Sequence, residues 1–154
     1  KNSKIEKNNR DLPKILNKDL IGAIDTVTLM KDGTEISEIN HGSNITVNIN
    51  YLMNVDDIDI VIGVAIHTID GIYVCGLNTL LDNQYINYKK GMNTITLQYD
   101  DLKLLGGSYY IDVAIFEKNA HVPIDYRARY IEFFIKAGYI AEGLVVLEHT
   151  WGVE

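Results

Sequence analysis

The stretch Ser43-Asn44-Ile45-Thr46-Val47-Asn48-Ile49-Asn50-Tyr51 decides the fold class of this chain. Apolar and polar side chains alternate along it with a period of two, which is typical of a β-strand with one face on a core and the other in water. The segment from Asn93 to Tyr99 repeats the alternation and places on its inward side Ile95, Leu97 and Tyr99. Both segments therefore predict half-buried β-strands.

Three further segments have strand character, and glycine-bearing turns separate the strands. Ile58 to Ile69 is apolar on both faces, and the other two run from Tyr109 to Phe116 and from Tyr130 to Ile135. The turns, where a positive φ costs little, are Asp32-Gly33, His41-Gly42, Asp70-Gly71 and Gly106-Gly107. Because no sustained helical period occurs, the pattern predicts an all-β, antiparallel sandwich of the immunoglobulin-like or jelly-roll kind.

The length of 154 residues suits one domain with a sizeable core. Residues 1–20 are rich in Lys and Asn and predict a linker from an upstream domain, with a short helix from Leu12 to Leu20 as the alternative. Residues 21–154 are then the β-sandwich domain. Since the first residue is Lys and not Met, we expect the chain to be part of a longer protein.

Charge and cysteine content exclude several classes of partner and site. The net charge of −7 lacks the basic footprint that neutralises phosphates, so no nucleic acid is expected as a partner. Cys75 is the single cysteine, which leaves no disulfide framework and no CxxC metal site. No apolar run approaches the roughly 20 residues that a membrane-spanning helix needs.

The two outer faces of the predicted sandwich differ in character. One is small and polar, with Thr46, Asn48, Asn50, Thr94, Thr96 and Gln98. The other combines rings, small residues and carboxylates: Val61, Gly63, Ala65, His67, Tyr110, Asp112, Ala114, Phe116, Tyr130, Glu132 and Phe134. If the next strand joins that sheet, it extends this face with Tyr73, Cys75 and Leu77. We expect the second face to bind a ligand or to be covered by protein.

The sequence predicts no catalysis, no cofactor and no metal centre. It lacks the G-x-x-x-x-G-K-[ST], G-x-G-x-x-G, H-E-x-x-H and G-x-S-x-G motifs, and its four histidines are scattered singly. Asp112 and Glu132 as the acid and base of a glycosidase are a minor alternative, because such a pair needs a deep cleft.

Tyrosines beside carboxylates on one face are compatible with carbohydrate binding. A pyranose has an apolar C–H face and a hydroxyl edge, so it favours an aromatic platform next to polar acceptors. The candidate carbohydrate-binding residues are His67, Tyr73, Tyr110, Asp112, Tyr130 and Glu132. From these residues alone, a subunit interface explains the aromatic face equally well.

Three glycine-punctuated segments follow one another between Ile21 and Trp151. They are Gly71-Ile72-Tyr73-Val74-Cys75-Gly76-Leu77-Asn78-Thr79, then Leu104-Leu105-Gly106-Gly107-Ser108-Tyr109-Tyr110-Ile111-Asp112-Val113-Ala114, and last Gly143-Leu144-Val145-Val146-Leu147-Glu148-His149-Thr150-Trp151. In this order and spacing they resemble the C-terminal carbohydrate-binding domain of Wzt, the ATP-hydrolysing subunit of ABC transporters that export O-antigen and related polysaccharides.

The resemblance implies a non-catalytic module that recognises a finished polysaccharide for export. It also implies an upstream ATPase domain, a membrane transporter subunit as partner, and a cytoplasmic location, peripheral to the inner membrane through the transporter. Compared with other members of that family, this chain has few exposed Trp and Arg residues, which leaves the position of the sugar site open. The alternatives are a structural immunoglobulin-like module of an extracellular protein and an accessory carbohydrate-binding module of a glycosidase.

The C-terminal segment bears on assembly. It follows a glycine-bearing connection, so it can pair within its own sandwich or with the exposed edge of a partner. The resemblance implies that it is exchanged between two protomers, which predicts a homodimer through Gly143, Val145, Leu147 and Trp151.

Overall fold

The computed structural model describes residues 20–153, and within that range the chain forms nine strands and no helix. Their bounds are β1 (Gly22–Lys31), β2 (Thr34–Glu35), β3 (Glu38–Asn40), β4 (Ser43–Met53), β5 (Ile60–Thr68), β6 (Tyr73–Asn78), β7 (Gly91–Leu102), β8 (Gly107–Glu117) and β9 (Pro123–Lys136). Apart from Leu20, the predicted linker and the alternative helix lie outside the described residues.

The strands form two sheets that pack face to face. One has the order β2-β1-β4-β7 and the other β3-β9-β8-β5-β6. All pairings are antiparallel except that of β3 with β9. The predicted all-β antiparallel sandwich is therefore confirmed.

The core lies between the sheets, and period-two alternation identifies most of it. On β4 the inward side chains from Ile45 to Met53 are buried. In the second sheet the predicted inward residues are also buried: Ile60, Ile62, Val64, Ile66, Ile111, Val113, Ile115, Ile131, Phe133 and Ile135. Burial of these large apolar side chains is the main force that holds the two sheets together.

A bulge in β9 changes the predicted outward face. Ile111 pairs with Ile131, but the next pair joins Val113 to Arg127, so β9 carries extra residues opposite Asp112. Arg129 within the bulge has a φ of 49°. Two extra residues interrupt the alternation within the bulge, while Tyr126 and Glu132 on either side of it both stay on the outward side.

The orientation predicted for Tyr130 is consequently wrong. Its ring packs against the core cluster instead of lying on the outer face, and its hydroxyl lies 3.4 Å from the carbonyl oxygen of Asp25 on β1. The bulge thus directs Tyr130 toward the junction of the two sheets, away from Tyr110.

A second bulge separates the residues of β6. Tyr73 pairs with His67, whereas Cys75 pairs with the inward Ile66 and Leu77 with the inward Val64. Directly opposed residues of an antiparallel pair point to the same side of the sheet. The expectation that all three β6 residues extend the outer face is right for Tyr73 and wrong for Cys75 and Leu77.

The C-terminal segment lies beside the connection between β7 and β8. Val145 forms an isolated antiparallel bridge with Leu104, and the amides of Leu105 and Val146 donate to the carbonyls of Leu144 and Lys103. The segment therefore does not extend either sheet of its own chain.

Over residues 20–153, no helix is long and apolar enough to cross a membrane.

Candidate functional site

Six polar and aromatic side chains converge on the outer face of the five-stranded sheet. They come from the central strands β5 and β8 and from β6 and β9 on either side. We call them the outer-face cluster: His67, Tyr73, Tyr110, Asp112, Tyr126 and Arg129. The structure thus brings together four of the six residues predicted from the sequence.

Asp112 is the anchor of the outer-face cluster. Its Oδ2 accepts a hydrogen bond of 2.6 Å from the Tyr126 hydroxyl, and its Oδ1 accepts one of 2.8 Å from the backbone N–H of Arg129. The residue is only 7% exposed, so these two donors supply much of the stabilisation that its charge loses on leaving water. Asp112 therefore holds the β9 bulge and the Tyr126 ring in place.

The hydrogen bond also determines the protonation of Tyr126. Together with partial burial, the bond to the Asp112 carboxylate raises the pKa of the Tyr126 phenol to about 12. The hydroxyl consequently remains a proton donor throughout the physiological range. Its proton is directed at Asp112, while an oxygen lone pair remains as an acceptor.

The Tyr110 ring lies underneath its neighbours. The His67 ring stacks on it with 5.0 Å between centroids, and the Arg129 guanidinium carbon lies 4.4 Å from its centroid. One Arg129 nitrogen also donates to the carbonyl of Ile69 at 3.0 Å. Only 9% of Tyr110 is exposed, so the ring supports the site from below and offers a ligand little surface.

The exposed rings of the cluster are those of Tyr73 and Tyr126. Tyr73 is 62% exposed and Tyr126 is 49% exposed. The Tyr73 ring packs edge-on against His67 at 4.7 Å between centroids, and its hydroxyl lies where a Cβ of Gly76 would be. Because Gly76 has no Cβ, the Tyr73 ring can pack flat against the sheet.

Two predicted residues occupy the edge of the cluster or lie outside it. Glu132 is exposed and is the cross-strand partner of Tyr110, which puts its carboxylate beside the cluster. Tyr130 is not part of the cluster, because it lies at the β9 bulge and packs against the core. The His67 Nδ1 is 3.9 Å from the Asp112 Oδ2. This Nδ1 forms no hydrogen bond with any described residue.

The sequence reasoning missed Tyr126 and Arg129. It began the last strand at Tyr130, whereas β9 begins at Pro123. Apolar and polar residues alternate from Ile124 to Tyr130, but the apolar positions change from even to odd numbers at Ile131, so the two parts do not read as one regular strand. A signal for Tyr126 was nonetheless available, since a ring within an extended polar stretch is typical of a strand with one exposed face.

The predicted dimer strand is largely exposed in the single chain. Leu147 is 74% exposed and Trp151 is 84% exposed, while Glu148 forms a 2.6 Å ion pair with Lys103. Gly143 has a φ of 99°, a conformation that suits glycine at the start of this segment.

Within residues 20–153, no group of three or more His, Cys, Asp or Glu side chains is arranged to hold a metal ion.

Comparison with known proteins identifies the family. The family model for the Wzt C-terminal domain matches residues 17–147. Among solved structures, the chain is similar to the C-terminal domain of Wzt, with a TM-score of 0.79 at 17% identity, covering 88% of this chain and 85% of that one.

The fold is also similar, more distantly, to that of a Niemann-Pick type C2 protein from the Japanese carpenter ant. The TM-score is 0.53 at 14% identity, covering 75% of this chain and 93% of that one. No curated protein sequence matches the chain significantly. Since the family model spans most of the chain, we conclude that it belongs to the Wzt C-terminal domain family, the non-catalytic carbohydrate-binding module of an ABC transporter subunit.

Proposed function

We propose that this domain selects a finished polysaccharide for export by binding it on the outer-face cluster. The observation that supports the proposal most is the pair of exposed rings, Tyr73 and Tyr126, beside polar groups that Asp112 holds in place. Family membership already confirms that the chain is a non-catalytic module. What we add is the face, the residues and the purpose of binding.

The exposed rings supply the apolar part of the site. A sugar ring can place its C–H face on Tyr73 or Tyr126, since tyrosine combines a large apolar surface with few rotatable bonds. Both rings are restrained, Tyr73 by His67 and Tyr126 by its bond to Asp112. Restraint before binding lowers the entropy lost when the ligand is ordered.

The polar part of the site lies around the rings. Glu132 is exposed and accepts hydrogen bonds, and the exposed Arg129 guanidinium has donors beyond the one used on Ile69. These groups can bind the hydroxyl edge of a sugar. Asp112 is too buried to do so, and we assign it the role of positioning Tyr126 and the β9 bulge.

The opposite face of the sandwich is less suitable. Its side chains satisfy one another, as when Asn50 donates to Thr26 at 2.9 Å and accepts from Thr94 at 2.6 Å. The predicted residues of that face include no aromatic ring. This difference between the faces supports glycan binding on the five-stranded sheet.

The family suggests the setting in which the domain acts. We place it on the cytoplasmic side of the membrane, linked through residues 1–20 to an upstream ATPase domain and acting with a membrane transporter subunit. In that setting, binding of a finished glycan would be coupled to the ATPase domain and so to export.

We further propose a homodimer in which the C-terminal segments are exchanged. Leu147 and Trp151 are exposed in one chain, and burial of such side chains is the usual driving force of association. The segment already forms backbone hydrogen bonds with residues 103–105, so the same pairing could be made between protomers.

An NMR titration with the polysaccharide of the source organism tests the site. The amide signals of Tyr73, Tyr126 and Glu132 should shift, and Tyr73→Ala and Tyr126→Ala should each weaken binding about tenfold to hundredfold. Asn48→Ala on the polar face is the matched control and should bind like wild type. Shifts confined to the strand from Ser43 to Met53 would show that the glycan binds the other face.

A further inference from the structure

The sandwich has a cleft on the side where its sheets end. Within residues 20–153, β6 and β7 are the terminal strands of their sheets and have a neighbour on one side only. Between them lies a cavity of about 390 Å³ that reaches the inner faces of both sheets. Small-molecule sites in proteins have volumes of about 300–1,000 Å³, so the cleft is large enough for a ligand.

The floor of the cleft is aliphatic. Both sheets contribute to it, through Ile49, Ile62, Val64, Leu77, Ile95 and Leu97. The three on the terminal strands β6 and β7 are only partly buried, whereas their neighbours one strand further in are buried. Apolar surface that remains open to water between two sheets favours an apolar occupant.

The mouth of the cleft is polar but nearly without charge. Its side chains are amides and hydroxyls, among them Asn78, Thr79, Gln84, Asn87, Asn93 and Thr94. Asp82 is the one carboxylate, and the described lining contains no Lys or Arg. An anionic head group would find no counter-ion there, whereas a neutral hydroxylated one would find hydrogen-bonding partners.

The loop between β6 and β7 borders the mouth of the cleft. It exposes the large side chains of Leu80, Leu81 and Tyr85, and Tyr85 also lines the cleft. Exposed apolar residues concentrated beside an apolar cleft are more informative than the same residues scattered singly.

We infer that this cleft binds a neutral amphiphile, with its hydrocarbon chain between the sheets and its hydroxylated head at the polar mouth. The site lies between the sheets, whereas the outer-face cluster lies on the outside of the five-stranded sheet. The inference is therefore independent of the proposed glycan site, and either one can fail without the other.

A chain-length series of monoacylglycerols tests the inference without using a sugar. Calorimetry on the full 154-residue chain would compare 1-monobutanoyl-, 1-monohexanoyl- and 1-monooctanoylglycerol below their micellar concentrations. Burial of a methylene corresponds to about a fourfold gain in affinity, so binding should tighten steeply along the series. Octanoate, with the same chain and an anionic head, should bind more weakly than monooctanoylglycerol.

A variant that fills the cleft locates the site. Ile95→Trp puts an indole where the acyl chain would lie. It should lower the affinity for monooctanoylglycerol by about tenfold or more, since two or three methylenes of the chain would no longer be buried. Gln98→Trp is the control, because Gln98 is exposed on the same strand and does not line the cleft. Tyr85→Ala, at an exposed rim position, should weaken binding even if Ile95→Trp folds poorly.

Three results would overturn the inference. The first is an affinity that does not depend on chain length, and the second is octanoate binding as tightly as monooctanoylglycerol. The third is the absence of any binding in the full chain, as expected if the C-terminal segment of a second copy fills the cleft.

Discussion

The Asp112 carboxylate on β8 accepts a 2.6 Å hydrogen bond from the Tyr126 hydroxyl on β9. This contact joins a buried charge to an exposed ring, and a second bond from the Arg129 amide completes the support of the β9 bulge. Both donors come from a stretch of β9 whose alternation is interrupted. The geometry of the outer face thus depends on one carboxylate at its centre.

Asp112→Asn should weaken glycan binding and leave the fold intact but less stable. An amide has one oxygen where the carboxylate has two and carries no charge, so one of the two charge-assisted bonds from β9 is lost or replaced by a neutral one. This change should lower the free energy of unfolding by about 1–3 kcal/mol. Denaturant titration measures the change, and Asp59→Asn, at an exposed ion pair with Lys118, should have a much smaller effect. Equal stability of the two variants would contradict the anchoring role.

Tyr126 should make stability depend on pH in the alkaline range. Its folded-state pKa of about 12 is above the ordinary value of 10.0, because the hydrogen bond to Asp112 favours the neutral phenol. The unfolded phenol loses its proton first as pH rises, so this contribution is complete below pH 10 and is lost between about 10 and 12. Other tyrosines with raised pKa values titrate similarly, so the measured quantity is the difference between wild type and Tyr126→Phe. If the two lose stability in parallel from pH 10 to 12, the Asp112–Tyr126 bond has no energetic role.

Gly76→Ala should impair glycan binding without removing any contact group. A methyl at this position would occupy the place of the Tyr73 hydroxyl and lift the ring off the sheet. We expect a loss of up to about tenfold to hundredfold in affinity, similar to Tyr73→Ala, by calorimetry. Gly138→Ala is the matched control, because a Cβ there meets open space and the backbone needs no positive φ. Wild-type affinity in Gly76→Ala would show that the orientation of Tyr73 is not required.

The oligomeric state tests the exchange of the C-terminal segment. Light scattering should give twice the 17.4 kDa chain mass, and truncation after Ala141 should give a monomer or an aggregating protein. Trp151→Ala, at an exposed position, should weaken the dimer while leaving the sandwich folded. A wild-type chain that remains monomeric at high micromolar concentration would exclude the exchanged dimer.

The fold could be predicted because period-two alternation is a local property. The side chains of Ile45, Val47 and Ile49 must share one face in any regular strand, whatever the rest of the chain does. The same reasoning identified the inward residues of β5 and β8 and placed His67, Tyr110 and Asp112 together on the outside. Glycine turns and the order of the segments were enough to predict the family.

Which side chains face a ligand depended on the tertiary structure. The bulges in β6 and β9 arise from pairing with the neighbouring strands. The one extra residue in β6 reverses the faces beyond it, whereas the two extra residues in β9 change the orientation only within the bulge. They turned Tyr130 and Cys75 toward the interior and brought Tyr126 and Arg129 to Asp112. The sequence by itself determined the strands and the two faces, because alternation operates within one strand. Only the packing of the sheets decided which rings are exposed and where the cleft lies. Strand register and the position of a strand at a sheet edge depend on pairing between segments that are distant in sequence.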